Sequence, residues 1–170
     1  CLLAESMYAE RGGYTSPNNR VSDFIRNVLA RNKGRIIATV FPAHFYRIQE
    51  IFDEVSKTHR KIVIMGHSLQ NTINYAIKNN YLTIDRRVIG DLNNLEDKDV
   101  VVLISDEKEK PFANLERIIK GYDKFIKLKK TDTIFITEPS YEGIEKRLAL
   151  VMDEIAMQGV NAVSLSSKKH

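Results

Sequence analysis

Short apolar runs recur along the chain, separated by segments in which apolar residues return every three or four positions. Arg35 to Val40 (RIIATV), Lys61 to Met65 (KIVIM), Val100 to Ser105 (VVVLIS), Thr133 to Thr137 (TIFIT) and Asn161 to Leu165 (NAVSL) are the runs. Continuous rather than alternating apolarity marks strands covered on both faces, as in parallel sheets. The intervening segments carry single stripes at helical spacing. Phe24, Ile25, Val28 and Leu29 form one stripe, and Phe45, Ile48, Ile51, Phe52 and Val55 a second. Ile73, Ala76 and Ile77 make a third, Leu115, Ile118 and Ile119 a fourth, and Ile144, Leu148, Val151 and Ile155 the last. Ser22, Ser68 and Ser140 stand where N-caps belong, and Gly34, Gly121 and Gly159 where helices end.

Repeated strand–helix units with short links predict an α/β domain: a doubly wound, mainly parallel sheet of about five strands with helices on both faces. Asp85 to Asp99, rich in charge and asparagine, reads as an irregular connection with one short strand near Val88-Ile89. Leu2-Leu3-Ala4 reads as the middle of a further strand. Domains usually begin in surface segments, so this start predicts a piece, residues 1–170, cut from a longer chain.

Length fits one domain, and 43% hydrophobic with 28% charged residues is ordinary for a globular protein. No apolar run approaches the roughly 18–20 residues of a membrane span, and the first residues lack the basic and apolar regions of a signal peptide. The single cysteine rules out an internal disulfide and suits a cytoplasmic setting. A net charge of +4 is compatible with a nucleic-acid partner without demonstrating one.

Complete chemical signatures are missing. The chain holds no His-x-His-x-Asp-His cluster, no cysteine pair and no Walker A loop, and its four histidines are scattered, so no self-contained metal site is expected. What remains is positional. Glu5 and Ser6 close the first predicted strand, where α/β folds place ligands. His44 and Arg47 open a helix after a strand, as His67, Ser68 and Asn71 do after the next. Helix starts offer backbone amides to phosphate. The blander reading keeps Glu5 as a loop cap, Arg47 as a solvated helix face, and Lys127, Lys129 and Lys130 as ordinary surface.

Several segments together tip the balance. Leu2-Leu3-Ala4-Glu5-Ser6 with Glu10-Arg11 and Gly13-Tyr14-Thr15 resembles the opening of the β-CASP region in ribonuclease J and related cleavage-factor nucleases. Gly34 to Phe41 followed by His44, Arg47, Ile48 and Gln49 is similar to that family's next strand and helix. Arg60-Lys61 leading to Gly66-His67-Ser68-Leu69-Gln70-Asn71, then Asp132-Thr133-Ile134 and Glu145-Lys146, keep the family's order and spacing. The resemblance implies an RNA-clamping insert within a metallo-β-lactamase scaffold. That scaffold would supply ligands for two divalent metal ions, zinc or manganese, in an RNA-processing and decay nuclease. Glu5, on the family's first acidic position, would orient a metal ligand or a proton. Ser6, His44, Arg47, His67, Ser68 and Asn71 would face RNA, and a paralogue or a second copy would be the partner subunit. By itself this piece would hold no catalytic metal and cleave nothing. The competing expectation is a free-standing doubly wound module that binds a nucleotide or a protein partner.

Two departures from the family pattern matter. Ser105-Asp106-Glu107-Lys108-Glu109-Lys110-Pro111 stands where active members carry Gly-Ser-Gln-Gly-Glu-Pro, which places the carboxylates of Asp106, Glu107 and Glu109 near the expected phosphate path. His67 stands where arginine is common, removing a fixed cation. Both imply a diverged, less active paralogue.

Overall fold

A computed structural model describes residues 1, 21–91, 97–106, 110–137 and 143–165. Five strands, β1 (Ile36–Val40), β2 (Lys61–Met65), β3 (Val100–Ser105), β4 (Thr133–Ile136) and β5 (Asn161–Ser164), form one sheet in the order β2-β3-β1-β4-β5. All pairings are parallel, and the register is level: Ile36 pairs with both Val101 and Thr133, Lys61 with Val100, and Thr133 with Asn161. Ile89 adds a single parallel bridge to Ile62, which is all that forms of the short strand expected there.

The helices are α1 (Ser22–Arg31), α2 (Phe45–Ser56), α3 (His67–Lys78), α4 (Ala113–Ile119) and α5 (Glu145–Met157). Alternate residues of β1 divide the core between them. Ile36, Ala38 and Val40 pack with α1, α2 and α3 through Ile25, Phe52 and Ile73. Ile37 packs on the other face with α4 and α5 through Leu115, Val151 and Ile155. The split follows from the topology. The steps from β1 to β2, and from β2 through α3 outward to the Ile89 bridge, move toward one edge, whereas β3 to β4 and β4 to β5 move toward the other. Right-handed crossovers in opposite directions place their helices on opposite faces.

Helix starts differ from the sequence expectation. Val21 occupies the N-cap of α1, and Ser22 donates its hydroxyl to Glu50 Oε1 at 3.2 Å instead of capping. The cap is supplied from α2: Glu50 Oε1 accepts the Val21 N–H at 2.9 Å. Gly66 takes the N-cap of α3, leaving Ser68 inside the first turn with no side-chain cap. α5 begins at Glu145, later than its stripe predicts, and Ser140 lies outside the described residues. The expected stops at Gly121 and Gly159 hold, at φ 72° and 70°. Gly34 is required for another reason: a Cβ there would sit 1.9 Å from the Thr131 carbonyl oxygen.

One group of buried polar side chains, Arg35, Arg60, Asp132 and Thr133, sits at the amino ends of the strands. Arg35 grips Asp132 through Nε–Oδ1 at 3.2 Å and Nη2–Oδ2 at 2.7 Å, and donates to Lys127 O at 2.8 Å. Arg60 donates to the carbonyls of Gly34 and Asn32, and its burial lowers its pKa, with Asp99 opposing. Asn32 Oδ1 accepts from Thr133 Oγ1 and Asn161 Nδ2. Each of these buried charges thus has a partner, as low dielectric demands. Three positions that carried the family resemblance, Arg35, Arg60 and Asp132, are this latch. Their bonds hold the amino edge of the sheet together.

Candidate functional site

The carboxyl ends of the strands have the opposite character. β1 and β2 send the chain to one face of the sheet, β3 and β4 to the other, so the links after neighbouring strands diverge. Such divergence opens crevices at the carboxyl edge, where open α/β sheets bind ligands. In this sheet it occurs between β2 and β3, β3 and β1, and β1 and β4.

Four of the residues singled out in the sequence reach this rim and are exposed. His44 is the residue before α2; its ring stands edge-on to Phe41 with centroids 5.3 Å apart, and its N–H is bonded to Phe41 O at 2.9 Å. His67, Ser68 and Asn71 open α3. Asn71 Nδ2 lies 3.2 Å from His67 Nδ1, one turn away. Neither N-cap residue, His44 for α2 nor Gly66 for α3, supplies a side-chain cap to the first-turn N–H groups at the rim.

Arg47 behaves differently. It is half-buried, with Nη1 donating to Glu50 Oε2 at 2.9 Å, so its charge is partly compensated inside the protein; its Nε has no hydrogen-bond partner among the described residues. Glu5 and Ser6 lie outside the described residues.

Between the two rim helices comes the end of β3. Asp106, expected to aim a carboxylate at the phosphate path, is instead buried, its Oδ1 accepting the Phe112 N–H at 2.7 Å. The reason is local geometry: Phe112 sits at φ 64°, unusual for an aromatic residue, and its N–H needs an acceptor at the start of α4. Asn114 holds the same corner, donating Nδ2 to Ser105 O and Oγ at 3.1 and 2.9 Å. Sequence pattern gave no signal for either role, since an acidic residue beside a charged run reads as solvated. Glu107 and Glu109 lie outside the described residues.

No cluster of three or more His, Cys, Asp or Glu capable of holding a metal ion occurs among the described residues. No helix among those residues is long and apolar enough to cross a membrane.

A family model for the ribonuclease J β-CASP domain matches residues 33–155, which contain the switch points, both rim helices and the amino-end latch. The chain belongs to the ribonuclease J β-CASP family. Ribonuclease J 2 of Staphylococcus epidermidis strain ATCC 35984 is 25% identical, the match covering 99% of this chain and 31% of that protein. Ribonuclease J 2 of Staphylococcus aureus strain NCTC 8325 is 24% identical over the same shares. The β-CASP chain therefore spans about a third of the length of the curated relatives it matches. Its five-stranded parallel sheet flanked by helices agrees with the β-CASP fold anticipated from sequence.

Proposed function

We propose that this β-CASP domain holds single-stranded RNA for a ribonuclease J-like processing and decay nuclease, in the cytoplasm, as part of a longer polypeptide. The observation that carries the reading is the gathering of His44, His67, Ser68 and Asn71 at one carboxyl rim, at two helix starts, in a chain of this family. Helix-start amides and polar side chains suit phosphate and sugar contacts, which position a nucleic acid without reading its sequence. Arg47, three residues along α2 from His44, adds a charge partly offset by Glu50.

Catalysis belongs elsewhere in this reading. A metallo-β-lactamase domain of the same polypeptide would supply the metal ligands, and zinc or manganese held there would supply the water-activating chemistry of phosphodiester hydrolysis. Glu5, with Ser6 beside it, supports that centre by orienting a ligand or a proton. A diverged, less active paralogue associated with a second ribonuclease J subunit accounts for the charged turn after β3 and for histidine at position 67.

Two measurements test this. The purified chain should cleave no RNA with manganese, zinc or magnesium; robust cleavage abolished by Glu5→Ala overturns the division of labour. In the complete reading frame, His44→Ala and His67→Ala together should weaken oligoribonucleotide binding several-fold in a protein that still unfolds cooperatively. Unchanged binding removes the rim from the RNA path.

A further inference from the structure

A second feature of the carboxyl edge depends mainly on residues of α4 and the turn after it, which no motif marked. Between the ends of β2 and β3, on the α4 side, a cleft of about 220 Å³ is lined by Gly66, Ser105, Asn114, Arg117, Lys124 and Phe125, among others. Gly66 also precedes α3, so the cleft adjoins the turn carrying His67 and Ser68.

The outer wall is a turn held in place at several points. Asp123 Oδ1 accepts the N–H groups of Phe125 and Ile126, each at 2.9 Å, and Lys127 Nζ donates to Gly121 O at 2.7 Å. Ile126 is fully buried and anchors the turn in the core. Phe125 nevertheless stands 74% exposed, and Tyr122 75%. A ring left in water on a fixed support is a preformed contact surface, with little ordering entropy to lose when something flat covers it.

The remaining walls specify what that is. Arg117 and Lys124 supply two cations; Asp123, the nearest anion in the lining, spends Oδ1 on backbone amides and faces Arg117 at 3.5 Å through Oδ2. Asn114 Nδ2 is committed to Ser105, which fixes the amide and leaves Oδ1 as an acceptor without a donor among the described residues. The volume is below the roughly 300–1,000 Å³ of drug-sized pockets, enough for one flat ring and not for a whole ligand. An aromatic face beside two cations and one amide acceptor suits a base with its phosphate. A protein interface would present an apolar core depleted of charge.

We infer that this cleft is a nucleobase subsite: one base of single-stranded RNA stacks on Phe125, with Lys124 and Arg117 on the adjoining phosphates. The inference rests on the RNA-holding role proposed above and extends the strand's path from the α3 rim across Gly66.

The test uses the complete reading frame and a short single-stranded oligoribonucleotide carrying 2-aminopurine, titrated by fluorescence at two salt concentrations. Phe125→Ala should weaken binding about five- to 150-fold, the range that base–aromatic stacking supports, and abolish quenching of the probe. Phe125→Tyr should restore both. Lys124→Ala should weaken binding and lower the salt slope by about one. If the wild type binds RNA and the Phe125 and Lys124 variants bind equally well, the subsite is wrong and the RNA-holding role stands. If the wild type binds no RNA, that role falls and the subsite with it. If Phe125→Ala leaves RNA binding intact but changes the oligomeric mass, the surface is a protein interface instead.

Discussion

Asp132 and Glu116 carry the same charge and an arginine partner each, yet their surroundings give them different weight. Asp132 is fully buried against Arg35 and also accepts the Lys129 N–H at 2.8 Å, whereas the Glu116–Arg147 pair, at 2.8 Å, sits at the surface with Arg147 about half exposed. Removing one partner of a buried pair leaves an uncompensated charge in low dielectric, so Asp132→Ala should cost about 3–5 kcal/mol. Glu116→Ala should cost no more than about 1 kcal/mol, since water screens that pair. Urea unfolding of the two variants checks the contrast; equal losses would mean that Arg35 finds another acceptor. Gly34 is the steric counterpart. No side chain fits between it and Thr131, and that contact, not conformational freedom, fixes the residue.

Elements are joined by similar side-chain devices acting over long sequence separations. α1 and α2 are tied by Glu50, which caps α1, and by Glu54, which takes Arg26 Nε at 3.0 Å and Lys57 Nζ at 2.7 Å. Burial would raise the pKa of Glu54, but hydrogen bonds from Arg26 and Lys57 outweigh it and the net shift is downward. A carboxylate with a depressed folded pKa contributes stability above the unfolded value, about 4.3, and loses it as pH falls through the lower folded value. Glu54→Gln should therefore destabilise by about 1–3 kcal/mol at neutral pH. The gap from wild type should narrow as pH falls below about 4. Thermal melts across that window decide it, and a gap independent of pH would assign the loss to packing. The helices themselves were legible from their stripes. Their starts were not, because serine at a helix boundary was read as a cap while the acceptor for α1 comes from 29 residues away.

At the scale of the molecule, polar chemistry is sorted by sheet end: a closed latch at the amino ends, open helix starts at the carboxyl ends. The turn after β3 bears on the second. Asp106 is consumed in holding Phe112, so any hindrance to RNA must come from the residues that follow it. Replacing Glu107-Lys108-Glu109 by Gly-Ser-Gly in the complete reading frame, with Asp106 kept, should tighten single-stranded RNA binding. The substitution removes one net negative charge, and at physiological salt screening acts over about 8 Å, so the gain should come from closer backbone approach and survive added salt. Binding measured at low and high salt tests this: no gain places the turn off the RNA path, and a gain lost in salt makes charge the obstacle.

The sequence by itself determined the fold class, the five strands and five helices of the described residues, and the family, because apolar period and motif order are local properties that a chain displays along its length. It also marked His44, His67, Ser68 and Asn71, since they follow strands at helix starts. Only the tertiary structure decided which charges are free. Arg35 and Asp132 are 97 residues apart, Arg60 and Gly34 26, and Asp106 faces inward to the Phe112 N–H, six residues on. A charged side chain reads as solvated until its partner is known, and partners chosen by packing lie far away in sequence. The cleft under Phe125 was invisible for the same reason: its walls come from β2, β3, α4 and the turn after it, and only their packing makes a concave site.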